Sequence, residues 1–337
     1  MCYTFCMKVL VVGGAGYIGS FTVKALKDAD YDVVIFDSLE TGHQEAIGDT
    51  PLYQGNLQTD VDKLDEVFKK ENPEAVIHFA AYIEVGESVK NPQKYYFNNV
   101  IGTLNLLKAM NANDCKKIVF SSTAAVYGEP EKIPIKETDE KQPTNPYGQT
   151  KLTIENALNW YSSAYGLKAV PLRYFNAVGA ALDGSMGQDY PKPTHLITRA
   201  CEAALGQRDD FAIFGDDYNT PDGTCIRDYI HVLDLADAHL KALESFDSAQ
   251  DKLFMPFNVG TGDGYSVKEV IDMVKQVSGN DFNVPIVERR PGDPDKLVAD
   301  STKIQQTLNW KPKHSDLKTI ISSAYQWHKK HPNGYGN

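Results

Sequence analysis

Lys8-Val9-Leu10-Val11-Val12-Gly13-Gly14-Ala15-Gly16-Tyr17-Ile18-Gly19 decides how the rest of the chain is read. Lys8 opens a continuous apolar run to Val12, as expected of a strand buried on both faces. Glycines follow at 13, 16 and 19, and a helical pattern runs from Ser20 to Lys27. Glycines at such a turn let the backbone approach a pyrophosphate, which sits on the helix N-terminus. The same spacing can make a merely tight turn, but the strand before it and the helix after it are the context a dinucleotide motif needs. A second strand, Asp32 to Phe36, ends at Asp37, 18 residues past Gly19. An acidic side chain there accepts hydrogen bonds from the adenosine ribose and repels a 2′-phosphate, which favours NAD over NADP.

The alternation continues outward. Leu52–Leu57 reads as a third strand, Val61–Lys70 as an amphipathic helix, and Ala75–Ala81 as a fourth strand, with His78 a core histidine. One long helix is expected from about Pro92 to Ala112, then a fifth strand at Lys117–Ser122. Pro146 opens a helix to about Tyr165, and Lys168–Tyr174 is a sixth strand. Strands alternating with helices over short connections imply α/β architecture, a Rossmann-type doubly wound parallel sheet. Beyond Asn176 the rhythm breaks. Residues 180–194, rich in Gly, Pro and Asp, read as a loop. Helices follow at His195–Leu205, Leu233–Phe246, Ser266–Ser278, Thr302–Leu308 and Ser315–Lys330, among short extended pieces at Phe211–Asp217, Cys225–Val232, Phe257–Gly260 and Val284–Arg289. This is a smaller, interleaved α/β substrate-binding lobe. The expected division is 7–176 for the dinucleotide, about 225–260 returning to it, 177–337 mainly for the substrate, and 1–6 as a short extension.

Composition narrows the function. A net charge of −11 argues against a nucleic-acid or anionic membrane partner. No apolar run reaches the ~18 residues of a membrane span. Met1–Cys6 has no signal-peptide pattern. The five cysteines, at 2, 6, 115, 201 and 225, have neither metal-ligand nor disulfide-framework spacing and fit a reducing cytoplasm; no metal is expected. Tyr147 and Lys151 stand one helical turn apart on one face. Such a pair is often only a surface pair. Beside a dinucleotide it makes a proton-transfer couple, the ammonium lowering a phenol pKa that is otherwise near ~10.

With the glycine turn, Asp37 and the Tyr147/Lys151 pair together, the sequence resembles the extended short-chain dehydrogenase/reductase family. The stretches that carry the resemblance include Gly13–Ser20, His78–Ala81, Val85–Ser88, Phe120–Gly128, Asn145–Lys151, Leu172–Asn176, Gly223–Val232 and Arg289–Asp293. Gly223-Thr224 before Arg227-Asp228-Tyr229-Ile230-His231-Val232 is specific to nucleotide-sugar members. The resemblance implies a tightly held NAD and reversible interconversion of UDP-glucose and UDP-galactose through a 4-keto sugar. Tyr147 would act as base, Thr123 would hydrogen-bond the same sugar hydroxyl, and Lys151 would tune Tyr147 and hold the nicotinamide ribose. NAD would be contacted by Gly13, Gly16, Tyr17, Ile18, Gly19, Asp37, Asn56, Leu57, Phe79, Ala80, Ala81, Asn98, Ser121, Tyr147, Lys151 and Tyr174. The UDP-sugar would be contacted by Thr123, Tyr147, Asn176, His195, Leu196, Ala212, Phe214, Arg227, Tyr229, Arg290, Asp293 and Leu297. A homodimer is implied too, with the helices at about 92–112 and 147–165 pairing with their twofold mates; their apolar residues, such as Leu104, Leu107, Leu158 and Trp160, permit this, though core packing explains much of that content.

Four positions depart from the family pattern. Asn56 stands where an Asp commonly contacts adenine, Ile83 where a Lys often faces the cofactor phosphates, and His195 in place of a common Asn. Leu297, intermediate in size, leaves N-acetylated UDP-hexosamines open as substrates. UDP-uronic acids also stay open. A 4,6-dehydratase would need an acid and a base after Thr123, where this chain has Ala124 and Ala125. A non-catalytic NAD sensor would be expected to lose Tyr147 or Lys151.

Overall fold

The computed structural model describes residues 7–248, 253–289 and 293–336. Its elements in chain order are β1 (Lys8–Val12), α1 (Tyr17–Asp28), β2 (Asp32–Asp37), β3 (Leu52–Gln54), α2 (Val61–Glu71), β4 (Ala75–His78), α3 (Val85–Lys90), α4 (Pro92–Tyr95), α5 (Gly102–Ala112), β5 (Lys117–Thr123), α6 (Pro146–Tyr165), β6 (Lys168–Tyr174) and β7 (Asn176–Val178). There follow α7 (Leu196–Ala204), β8 (Ile213–Phe214), β9 (Ile226–Arg227), β10 (Tyr229–His231), α8 (Val232–Ser248), β11 (Phe257–Val259), β12 (Tyr265–Ser266), α9 (Val267–Ser278), β13 (Ile286–Val287), β14 (Lys296–Leu297), α10 (Thr302–Leu308) and α11 (Leu317–Lys330).

Seven strands form one parallel sheet in the order β11-β6-β5-β4-β1-β2-β3. The strand side chains sort by parity, because successive residues face opposite sides of a sheet. Val9, Val11, Val33, Ile35 and Val119 pack one core with Leu26 of α1 and Leu235, Ala238 and Leu243 of α8. Leu10, Val12, Val34, Phe36 and Phe120 pack the other, with Leu64 and Phe68 of α2, Leu106 of α5, and Ile154 and Leu158 of α6. Two covered faces explain the unbroken apolar run in β1. A third core joins α7, α9 and α11 through Ile197, Val270, Val274, Ile320 and Ile321. Ser266 caps α9 with Glu269 in a reciprocal capping box.

Several expectations need correction. β3 stops at Gln54 and β4 at His78, not at Leu57 and Ala81. Phe79 and Ala80 leave the ladder because both amides turn to the Val12 carbonyl, at 2.7 and 3.2 Å. The helix expected over 92–112 is broken by a π-helical segment, Tyr96–Ile101. The extra residue per turn seats Asn99 inward, where its side chain takes the Tyr82 amide at 2.9 Å and donates to the Tyr82 carbonyl at 3.1 Å and to Thr150 Oγ1 at 3.2 Å. α3 and β7 were not expected. The stretch expected to be extended at Phe211–Asp217 pairs only through Ile213 and Phe214. His78 is a buried core residue, its Nε2 2.8 Å from Thr103 Oγ1. Cys2 and Cys6 lie outside the described residues; Cys115, Cys201 and Cys225 are buried.

Candidate active site

The glycine turn is locked by close approach. Gly13 has φ +81, and a Cβ there would stand 2.5 Å from the Ala80 nitrogen; one at Gly19 would stand 2.2 Å from the Gly13 oxygen. At the end of β2, Asp37 accepts hydrogen bonds from the Ala15 amide at 2.8 Å and the Leu39 amide at 2.9 Å. Burial pushes its carboxyl pKa up, opposed by those two bonds. Each oxygen keeps a further lone pair for a ligand.

A cavity of ≈ 600 Å³ opens above this turn, at the carboxyl ends of the strands. Of the residues the sequence nominated for the dinucleotide, Gly13, Gly16, Tyr17, Ile18, Gly19, Asp37, Asn56, Leu57, Phe79, Ala80, Ala81, Asn98, Ser121, Tyr147 and Tyr174 all line it. Lys151 is buried beneath the lining. Thr123, Asn176 and His195 line the same cavity. So do Glu84, Gln188, Tyr190 and Lys192, which sequence reasoning missed. The last three sit in the Gly- and Pro-rich loop before α7, where no periodicity marks an inward-facing side chain.

α6 delivers the polar floor. Asn145 caps it by accepting from the Gly148 amide at 2.9 Å, and Pro146 takes the first turn. Lys151 Nζ donates to the Ser121 carbonyl at 2.7 Å and lies 4.9 Å from the Phe120 ring centroid. Ser121 Oγ and the Tyr174 hydroxyl are 2.6 Å apart. Thr123 accepts from the Ala125 amide at 3.1 Å, capping the short 3₁₀ turn Ala124–Val126, and its hydroxyl stands beside the Tyr147 phenol.

Burial holds the Tyr147 phenol well above its usual pKa, the nearby Tyr174 adds to this, and the Thr123 hydroxyl opposes it. Lys151 Nζ directs its hydrogen bond to the Ser121 carbonyl. Burial takes Lys151 itself down to about 7, with the Glu155 carboxylate pulling the other way.

The residues nominated for the far end of the substrate are more dispersed. Arg227 donates to the Ile226 carbonyl at 2.8 Å and forms an ion pair with Asp293. Asp293 borders a second recess of ≈ 1120 Å³ with Gly215 and Arg289. Arg290 lies outside the described residues. Tyr229, expected to touch substrate, is 3% exposed and belongs to the third core. Leu196 packs on that core as well, Ala212 and Phe214 line neither recess, and Leu297 packs beside Val126 and Tyr127. Short strands in the second lobe give no period from which the facing of these side chains could be read. Among the described residues no group of three or more His, Cys, Asp or Glu is placed to hold a metal.

The model of the NAD dependent epimerase/dehydratase family matches residues 9–260. The chain belongs to this family. A relative named UDP-glucose 4-epimerase, from Halalkalibacterium halodurans, is 53% identical over 329 residues and aligns over 98% of both chains. A crystal structure of UDP-glucose 4-epimerase from Brucella ovis in complex with NAD superposes with a TM-score of 0.92 at 46% identity, over 96% of this chain and 98% of that one. One from Bifidobacterium longum in complex with NAD+ and UDP superposes with a TM-score of 0.91 at 38% identity, over 97% and 100%. In this member of the epimerase/dehydratase family, the matched region holds both the glycine turn and the Tyr147/Thr123 floor.

Proposed function

We propose that the chain is an isomerase that interconverts UDP-glucose and UDP-galactose at C4 on a bound NAD. The observation that carries this reading is that one cavity joins the glycine turn and Asp37 to Thr123 and Tyr147. The site fits the cofactor. Gly13 and Gly19 let the turn close on itself, since a Cβ at either would strike the Ala80 or Gly13 main chain, and Asp37 supplies acceptors for ribose hydroxyls. The amides at the start of α1 would hold the pyrophosphate, and Lys151 the nicotinamide ribose. NAD bound there supplies a reversible hydride acceptor for C4 of the sugar.

The chain's own residues handle the proton. Tyr147 takes it from the 4-hydroxyl and gives it back, and Thr123 orients that hydroxyl. Cationic charge brought into the cavity beside Tyr147 favours its phenolate and offsets the effect of burial. Asn176 and His195 would contact the substrate from the opposite wall, and Arg227, Arg290 and Asp293 the nucleotide. Ala124 and Ala125 offer no carboxylate for the C5 proton, so hydride return is favoured over elimination of water. The decisive assay gives the purified protein UDP-galactose and separates the products by chromatography. UDP-glucose is expected; a 4-keto-6-deoxy sugar would overturn the reading.

The same reading assigns 7–176 and 225–260 to cofactor binding and most of the remainder to the UDP-sugar. It takes the protein to be cytoplasmic, consistent with its thiols; no described helix is long and apolar enough to cross a membrane. It also takes the protein to be a homodimer. Val89, Tyr96, Phe97, Ile101, Leu104 and Trp160 are large apolar residues exposed on the run from α3 to α5 and on α6, as an unpaired interface would present them.

A further inference from the structure

The wall of the cavity beyond Tyr147 joins His195 to Glu84 and Tyr190, two side chains that sequence reasoning missed. The Tyr190 ring stacks on His195 with centroids 5.8 Å apart. His195 is the N-cap residue of α7, and its buried Nδ1 has no hydrogen-bond partner within the protein. A buried, unpaired nitrogen on a cavity wall is placed to meet a ligand hydroxyl. Next to it stands Glu84, which lines the same cavity. Its carboxylate is oriented by the Thr194 hydroxyl at 2.8 Å, and its main chain is held by the Tyr95 hydroxyl at 2.8 Å.

The other charges lining this cavity are differently placed. Glu87 and Lys94 neutralise one another at 2.8 Å, and Glu40 is held by the Tyr82 hydroxyl at 2.6 Å and by Asn56 at 3.1 Å. No arginine lines the cavity among the described residues. Lys192 stands on the exposed rim. The His195 side of the wall therefore presents one oriented carboxylate and neutral donors.

We propose that Glu84 makes this site selective for uncharged hexoses and excludes UDP-hexuronates by like-charge repulsion. This rests on the UDP-hexose reading above and names the substrate class within it. A carboxylate held beside another in a half-enclosed cavity is opposed by charge that solvent screens incompletely, a penalty of roughly tenfold or more in affinity.

Calorimetric titration tests this without depending on turnover. The purified, NAD-loaded protein is titrated with UDP-glucose and with UDP-glucuronate, beside the variants Glu84→Gln and Glu84→Lys. The wild type is expected to bind UDP-glucuronate at least about tenfold more weakly than UDP-glucose, with the gap narrowing as salt rises. Glu84→Gln should close most of the gap, and Glu84→Lys should reverse the preference. Equal affinities in the wild type, or a gap that survives both substitutions, would overturn the proposal. Glu84→Ala replaces any variant that fails to fold. Failure of the function itself would appear separately, as no conversion of UDP-galactose by the wild type.

Discussion

Tyr147 and Lys151 show what a motif can and cannot say about a residue. Their spacing places them on one helix face, and both are buried beside Ser121 and Thr123. Tyr147→Phe should lower turnover by about 10²–10⁴-fold, the span usual for a lost proton-transfer group, while NAD stays bound. Steady-state rates and the absorbance of released cofactor check both halves. Lys151 makes a separate prediction. Its pKa is near 7 in the fold against 10.5 when exposed. Between those values the unfolded chain carries the extra proton, so this group makes stability rise with pH across that window. Between pH 7.5 and 9.5 the wild type should gain about 2 kcal/mol relative to Lys151→Met, read from urea midpoints. The direction of these shifts was not legible in the pentapeptide, because burial depends on what packs over α6, which local spacing cannot show.

At the scale of elements, the site rests on two rigid joints. The first is the turn between β1 and α1. Gly13→Ala would force a side chain to φ +81 and into the Ala80 backbone. It should cost at least about 1–2 kcal/mol and abolish NAD retention, measured by denaturant titration and by cofactor content after gel filtration. The second joint is a buried ion pair behind the catalytic face. Arg173 of β6 donates to Glu155 of α6 at 2.9 and 3.2 Å through Nε, and Ser122 Oγ of β5 donates to Glu155 at 2.6 Å. Arg173 also donates to the Tyr127 hydroxyl at 2.8 Å, which donates to Asn258 Oδ1 at 2.6 Å. Glu155→Ala leaves a buried guanidinium uncompensated and should cost about 3–5 kcal/mol; the double change Glu155→Leu with Arg173→Met should cost much less, since the desolvation penalty goes with the charges. Chemical denaturation of the single and double variants separates the two. The strands and helices around these joints were mostly legible from apolar runs and caps. The π-helical segment was not, since one extra residue per turn leaves the apolar pattern of a helix nearly unchanged.

At the scale of the molecule, two apolar surfaces were mixed in the sequence. Leu107 and Leu158, nominated for a dimer seam, are fully buried in the core under the sheet. Leu104 is 39% exposed and Trp160 73%. Trp160→Glu is therefore expected to shift a dimer toward monomer in light scattering while thermal unfolding of the protomer changes little. The sequence by itself determined the parallel sheet, the glycine turn with Asp37 at the end of the next strand, and the helix pairing Tyr147 with Lys151. Each is written in contacts a few residues apart or in a strict period. Only the tertiary structure decided that Glu84, Gln188 and Tyr190 line the cavity with Tyr147, that Tyr229 is core, and that Lys151 turns to the Ser121 carbonyl. Those outcomes depend on segments tens of residues apart meeting at the ends of the strands, and on the loss of water there, neither of which has a local signature.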